Sequence, residues 1–385
     1  MIQKLKCLCS VLLWIFTSTL VQGMEVEDLG YQLGGTQISA GLAVGGRSFS
    51  YQPSYSYYQS NIGVESTLTS GRYILQGSYD FNAYQPEQRQ DEIQDHLMAL
   101  SAAWRPIPSS TILLAVDLKD VEEERGTGLT ADLIDIDNSL SSYQQQGVDV
   151  NFSFNRIAER SPILTVSYNK DIKEYDQKTD LALNANFENE SFGISSGYRW
   201  SDKKIFYYFR KRREIYPNAL SKNSTNYTSS LGFAFPLTLI TDFSLSFGKE
   251  NKEFDREEEE EQETTYWSGE INWKPYANNT ISIQSINQQN PLTKENQTLN
   301  EENELSVFWE YKRSSIHSVS VGVSNKKSIV VIDGKESNEE SISIKIDNDY
   351  KDFIFSLLYK REEDVNSEKY WSLGLSVSYR FSGVI

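Results

Sequence analysis

The sequence predicts an all-β fold: a transmembrane antiparallel β-barrel of about 18 strands, with short periplasmic turns and long extracellular loops. Three observations carry that expectation. The stretch 370–381 alternates strictly, with Trp371, Leu373, Leu375, Val377, Tyr379 and Phe381 large and apolar, and Ser372, Gly374, Ser376, Ser378 and Arg380 small or polar. Such a strand has one greasy face with aromatics at both ends and one wet face, as a membrane-spanning β-strand requires. Segments with this period recur along the chain, and the connections between them alternate between short and long. Finally, no apolar segment after the N-terminus approaches the ~20 residues of a membrane helix, so a membrane-embedded chain would have to close its strands into a barrel.

Taken in order, the chain opens with a basic head at Lys4 and Lys6, an apolar run over 7–21, and Gln22-Gly23 before Met24. This pattern predicts a secretory signal peptide over 1–23, a short periplasmic tail over 24–35 and the barrel over 36–385. Both cysteines, Cys7 and Cys9, fall inside the predicted signal, so no disulfide or cysteine metal site is expected beyond it.

Period-two strands are then predicted at 37–44, 61–69, 73–81, 97–104, 111–119, 148–157 and 162–169. They continue at 192–200, 205–213, 227–235, 239–247, 267–274, 281–288, 305–312, 317–324, 342–347 and 353–360, before the closing strand. Tight turns fall at 105–109, 158–161, 201–204, 235–237, 274–278, 312–314 and 349–352. Long polar connections cover 82–95, 121–147, 211–226, 249–264, 289–303 and 326–340. Short turns on one rim and long loops on the other are the outer-membrane pattern, which a soluble sandwich has no reason to obey. The segment 180–187 also alternates. A strand there would break the even count, so 171–190 is read as one outer loop able to prolong its flanking strands.

Composition fits this reading. There are 23 Tyr, 18 Phe and 7 Trp against 9 Pro, enough aromatics for two interfacial girdles. A formal net charge of −17 argues against nucleic acid as a partner. The negative mean hydropathy of −0.51 is no objection, because only alternate residues meet lipid.

Residues of opposite parity to the apolar series should line the interior. They are Glu65, Asp80, Asp117, Lys119, Asp149, Arg199, Asp242, Glu270, Lys274, Glu310, Lys312, Lys345, Asp347, Lys360 and Arg380, among many Ser, Gly and Asn. Some eighteen strands enclose room for water, so this is a hydrophilic conduit or a lumen packed by loops and ion pairs. The acidic run 255–263 reads as a solvated loop, and Asp132, Asp135 and Asp137 lack the Gly and closing Glu of a calcium loop. Only two histidines exist, His96 and His317, both at rims and in phase with the lipid-facing residues. They read as members of an aromatic belt. A lipid-facing pair of His317 with Ser315 or Ser318 is the catalytic alternative. No nucleophile elbow, phosphate loop or metal-ligand spacing occurs, so no catalytic residue, cofactor or metal is expected.

Ser372, Gly374, Val377, Tyr379 and Phe381 resemble the C-terminal recognition strand of outer-membrane barrels, which implies the barrel-assembly machinery as a partner. Ser382-Gly-Val-Ile385 departs from the usual terminal aromatic. Val121-Glu-Glu-Glu-Arg-Gly-Thr-Gly-Leu129, Tyr198-Arg-Trp-Ser-Asp-Lys-Lys-Ile-Phe206, Arg213-Glu-Ile-Tyr-Pro217 and Ser39-Ala-Gly-Leu-Ala-Val-Gly-Gly46 together resemble the type 2 β-barrel porin family. Asp202 stands where a Pro is common in that family's turn. The family's barrels are associated with exopolysaccharide or capsule production. The resemblance implies a passive channel exporting a polysaccharide, set among outer-membrane lipid and lipopolysaccharide and served by periplasmic export proteins. A nutrient porin carrying small solutes inward, and a lipid-modifying barrel enzyme, are the alternatives.

Overall fold

The computed structural model describes residues 32–48, 55–86, 93–123, 141–155, 160–177, 180–255, 261–290, 300–312, 317–330, 335–350, 353–364 and 369–381. The predicted signal peptide, the acidic residues 256–260 and Asp132, Asp135 and Asp137 lie outside them, as does most of 121–129.

Eighteen strands form one antiparallel sheet in chain order. They are β1 (Gln32–Ser48), β2 (Tyr55–Ser70), β3 (Tyr73–Pro86), β4 (Ile93–Trp104), β5 (Ser110–Glu123) and β6 (Ser141–Asn155). Next come β7 (Arg160–Tyr175), β8 (Phe187–Trp200), β9 (Lys203–Ile215), β10 (Ser224–Thr238), β11 (Thr241–Phe254) and β12 (Gln262–Tyr276). The last six are β13 (Asn279–Asn290), β14 (Asn300–Lys312), β15 (His317–Val330), β16 (Lys335–Tyr350), β17 (Phe353–Asp364) and β18 (Lys369–Phe381). The sheet closes on itself: β1 pairs with β18 from Thr36↔Phe381 to Ser48↔Lys369, and with β2 on its other side. No edge is left to carry unpaired backbone groups into hydrocarbon.

Accessibility identifies the two faces. A convex wall splays its outward side chains, while a concave one crowds them. The apolar series is the open one, with Leu375 56 % and Phe247 60 % exposed, whereas Ser372 is 8 % and Thr228 0 % exposed on the alternate series. The greasy face is therefore outside and the polar face lines the interior, the inverse of a soluble protein.

Every predicted strand is present, and 180–187 is no nineteenth strand. Asp180–Ala185 is a short helix, α1, whose Ala182 is fully buried. The boundaries differ in a consistent way. Strands run well past the predicted ends on the long-loop side, so β15 and β16 stay paired to Val330↔Lys335 and β13 and β14 to Asn290↔Asn300. Above the bilayer no lipid demands an apolar residue at every second position, so the hydrophobic alternation lapses while the hydrogen-bonded ladder continues. At the other end, Gln32 pairs with Thr69, which draws the last residues of the predicted tail into β1.

Two predicted turns move because their prolines are housed in strands. Pro236 lies in β10 beside a register shift between Pro236 and Thr238, and the turn falls at 239–240. Pro275 lies in β12 within a shift between Trp273 and Tyr276. A bulge at a strand end tolerates the missing N–H, which is where sheets accept proline. The two-residue turn between β2 and β3 uses Gly71 at φ 43°, and that between β8 and β9 holds Ser201 at φ 57°.

Candidate transmembrane conduit

The register places Arg199, Asp242, Glu270, Lys274, Glu310, Lys312, Lys345, Asp347 and Lys360 on the face opposite the apolar series. Arg199 pairs across with Lys204, Asp242 with Asn272, and Lys345 with Leu358. Arg380 pairs with Gln37 in the backbone, but its side chain lies outside the described set. Several of these residues meet one another. Lys312 Nζ lies 3.1 Å from Glu310 Oε2, and Lys345 Nζ lies 3.1 Å from Asp347 Oδ2, which also accepts a 2.6 Å bond at Oδ1 from Ser356 Oγ. Asn272 Nδ2 donates to Glu270 Oε1 at 2.7 Å. Partly exposed pairs of this kind contribute little stability; they leave a wetted wall of mixed charge.

A more tightly held array lies on β9–β11 towards the long loops, and the sequence reading did not single it out. Lys252 Nζ reaches Glu214 Oε2 at 3.2 Å across the intervening β10, and Ser224 Oγ donates to the same oxygen at 3.3 Å. Arg212 Nε sits 3.1 Å from Glu214 Oε1, an ion pair rather than a hydrogen bond. One step down the ladder, Glu250 Oε1 takes Thr228 Oγ1 at 3.1 Å and Arg210 Nη2 at 3.5 Å. Burial draws the Lys252 ammonium below its ordinary range, against the pull of Glu214. Arg210 and Arg212 lie within the predicted strand 205–213, and Glu214, Glu250 and Lys252 keep the same inward parity beyond the predicted ends at 213 and 247. The outward residues beside them, Lys211 and Arg213, are equally polar, so the alternation alone does not mark the array.

The wall of β5–β7 carries three aspartates, Asp117, Asp149 and Asp171, with Lys119 Nζ 3.8 Å from Asp117 Oδ2. Asp117 and Asp171 flank Gly147 on either side. A Cβ at Gly147 would collide with Oδ1 of Asp117 and come within 2.9 Å of Asp171 Oδ1, so both carboxylates lean over the bare glycine. Asn169 Nδ2 donates to Asp149 Oδ1 at 2.7 Å beside them.

On the outer face the loop-side edge of the apolar belt is marked by ion pairs such as Lys170 with Glu188 and Lys249 with Glu263. His96 packs against Phe81 with ring centroids 5.0 Å apart, and its Nδ1 lies 2.9 Å from Tyr79 Oη. His317 is exposed on β15, while the next residue, Ser318, faces the opposite side of the wall opposite Asp347. Successive residues of a strand point to opposite faces, so His317 and Ser318 cannot form a catalytic pair. Ser315 lies outside the described residues. In the closing strand, Tyr379 packs on Phe353 at 4.8 Å, Val377 and Gly374 hold their alternate positions, and Phe381 pairs with Thr36.

No family model matches the chain, and no curated protein matches it. Solved structures do. A BenF-like porin from Pseudomonas fluorescens Pf-5 superposes with a TM-score of 0.50 at 11% identity, covering 93% of this chain and 99% of that one. OpdQ of Pseudomonas aeruginosa gives 0.48 at 10% identity, covering 92% and 99%, and OccAB3 of Acinetobacter baumannii 0.47 at 12%, covering 90% and 99%. At such identities the likeness to the first is one of fold: a closed barrel of porin type.

Proposed function

We propose that the chain is an outer-membrane channel through which small hydrophilic solutes diffuse passively, with a preference for cations. The observation that supports it is the inversion of the wall: apolar and aromatic residues outside, and a ring of Ser, Asn, Asp, Glu, Lys and Arg within. The first half of that pattern needs a bilayer; the second needs water. The solved barrel of similar fold carries the name of a porin, which supports a solute channel over the polysaccharide exporter that the sequence resemblance implied. Asp117, Asp149 and Asp171 on β5–β7 are the basis for the cation preference, because carboxylates in a confined lumen concentrate counter-ions.

The test is reconstitution in planar bilayers under a salt gradient. A stepwise conductance with a reversal potential on the cation side is expected, and replacing the three aspartates by asparagine should move that potential towards zero. Absence of conductance with the barrel inserted would overturn the reading. Loss of a secreted polysaccharide on deleting the gene, with solute uptake unchanged, would restore the export reading.

A further inference from the structure

Above the belt of β3–β6, outward-facing side chains enclose a notch of about 40 Å³. Strand register arranges it in rows. Leu100, Val116 and Val148 stand side by side in the belt. Next towards the loops come Tyr79, Met98, Leu118 and Gln146, and above them Phe81, His96, Asp120 and Gln144. The wall therefore passes from aliphatic to amide, imidazole and carboxylate within two rows. Tyr79 Oη and Phe81 hold the His96 ring in place, and Gln144 stands directly across the ladder from Asp120.

On β7–β8 and on β11–β12 outward charges near this level answer one another, Lys170 with Glu188 and Lys249 with Glu263. Here two glutamines and one carboxylate face outwards instead, while Lys119 and Gln145, which also line the notch, have lumen-side parity and Lys119 lies 3.8 Å from Asp117; the outward set suits hydroxyl and amide donors better than phosphate. The volume admits a water-sized group or two, which is a hydroxymethyl or hydroxyl arm and not a whole sugar ring.

We propose that this notch anchors a glycolipid of the outer leaflet by one arm of its sugar headgroup. A hydroxyl arm enters between Asp120, Gln144 and Gln146, and an acyl chain lies along Leu100, Val116 and Val148. The site is continuous with the lipid-facing belt, so the occupant must be aliphatic below and polyhydroxylated above. The inference rests on the membrane placement proposed above.

The test places the full barrel in nanodiscs of phosphatidylethanolamine with monoglucosyl diacylglycerol, a glycolipid without phosphate, and counts retained lipids by native mass spectrometry. The paired substitution Gln144→Leu and Gln146→Leu removes the hydrogen-bonding edge while remaining compatible with lipid. It should lower glycolipid retention about tenfold, the equivalent of two modest hydrogen bonds, and leave phosphatidylethanolamine retention unchanged. Asn325→Leu on β15 should change neither. Equal glycolipid retention in the double variant, or parallel loss of both lipids, overturns the proposal. Conductance of the same variants separates the two readings. If channels persist unchanged while retention does not respond, the glycolipid site fails and the channel stands; if the wild-type barrel enters neither bilayer, both fall.

Discussion

Lys252 of β11 and Glu214 of β9 meet at 3.2 Å across the strand that separates them, and neither side chain is more than 2 % exposed. Glu214 also faces Arg212, so one carboxylate answers two cations in a part of the lumen that water does not reach. Glu214→Ala would remove the carboxylate that both buried cations share and should destabilise the folded barrel by about 3–5 kcal/mol. The joint change Glu214→Leu and Lys252→Met should cost much less, since a buried pair replaced by apolar groups loses its desolvation penalty along with its attraction. Urea unfolding in lipid vesicles, followed by tryptophan fluorescence, reads both. A single variant as stable as wild type would mean that the array is solvated.

Gly248 and Gly269 occupy adjoining strands, yet should respond oppositely to a methyl group. A Cβ at Gly248 would strike the backbone oxygen of Ser229 and approach Ser230 Cα to 2.6 Å, and backbone cannot step aside as a side chain does. At Gly269 the nearest atom is Leu245 Cδ1 at 3.7 Å, an ordinary contact. Gly248→Ala should therefore lose about 1–3 kcal/mol through overpacking, and Gly269→Ala should match wild type. The fraction of refolded barrel on a heat-modifiability gel distinguishes them.

The strands were legible because lipid enforces a rule that sequence displays directly. Val319, Val321 and Val323 must be apolar, while Ser320, Gly322 and Ser324 are free to be anything small and polar. The array around Glu214 was not legible, because it lies above the belt, where outward residues such as Lys211 and Arg213 are as polar as inward ones and parity has no contrast. Pro236 and Pro275 read as turns because the sequence does not reveal which strand end can absorb a bulge. The notch of Tyr79, His96, Asp120 and Gln144 draws on four strands, and its assembly depends on register, which turn geometry sets rather than any local motif.

Leu375 tests the orientation of the wall. It lies at the middle of β18, outward, paired with Leu42 and Leu357. Leu375→Arg should cost about 2–4 kcal/mol if that face meets the bilayer midplane. Ser376→Arg, one residue on and facing the lumen, should fold and alter conductance instead. Equal tolerance at both positions in vesicle refolding would contradict the placement of lipid on the apolar face.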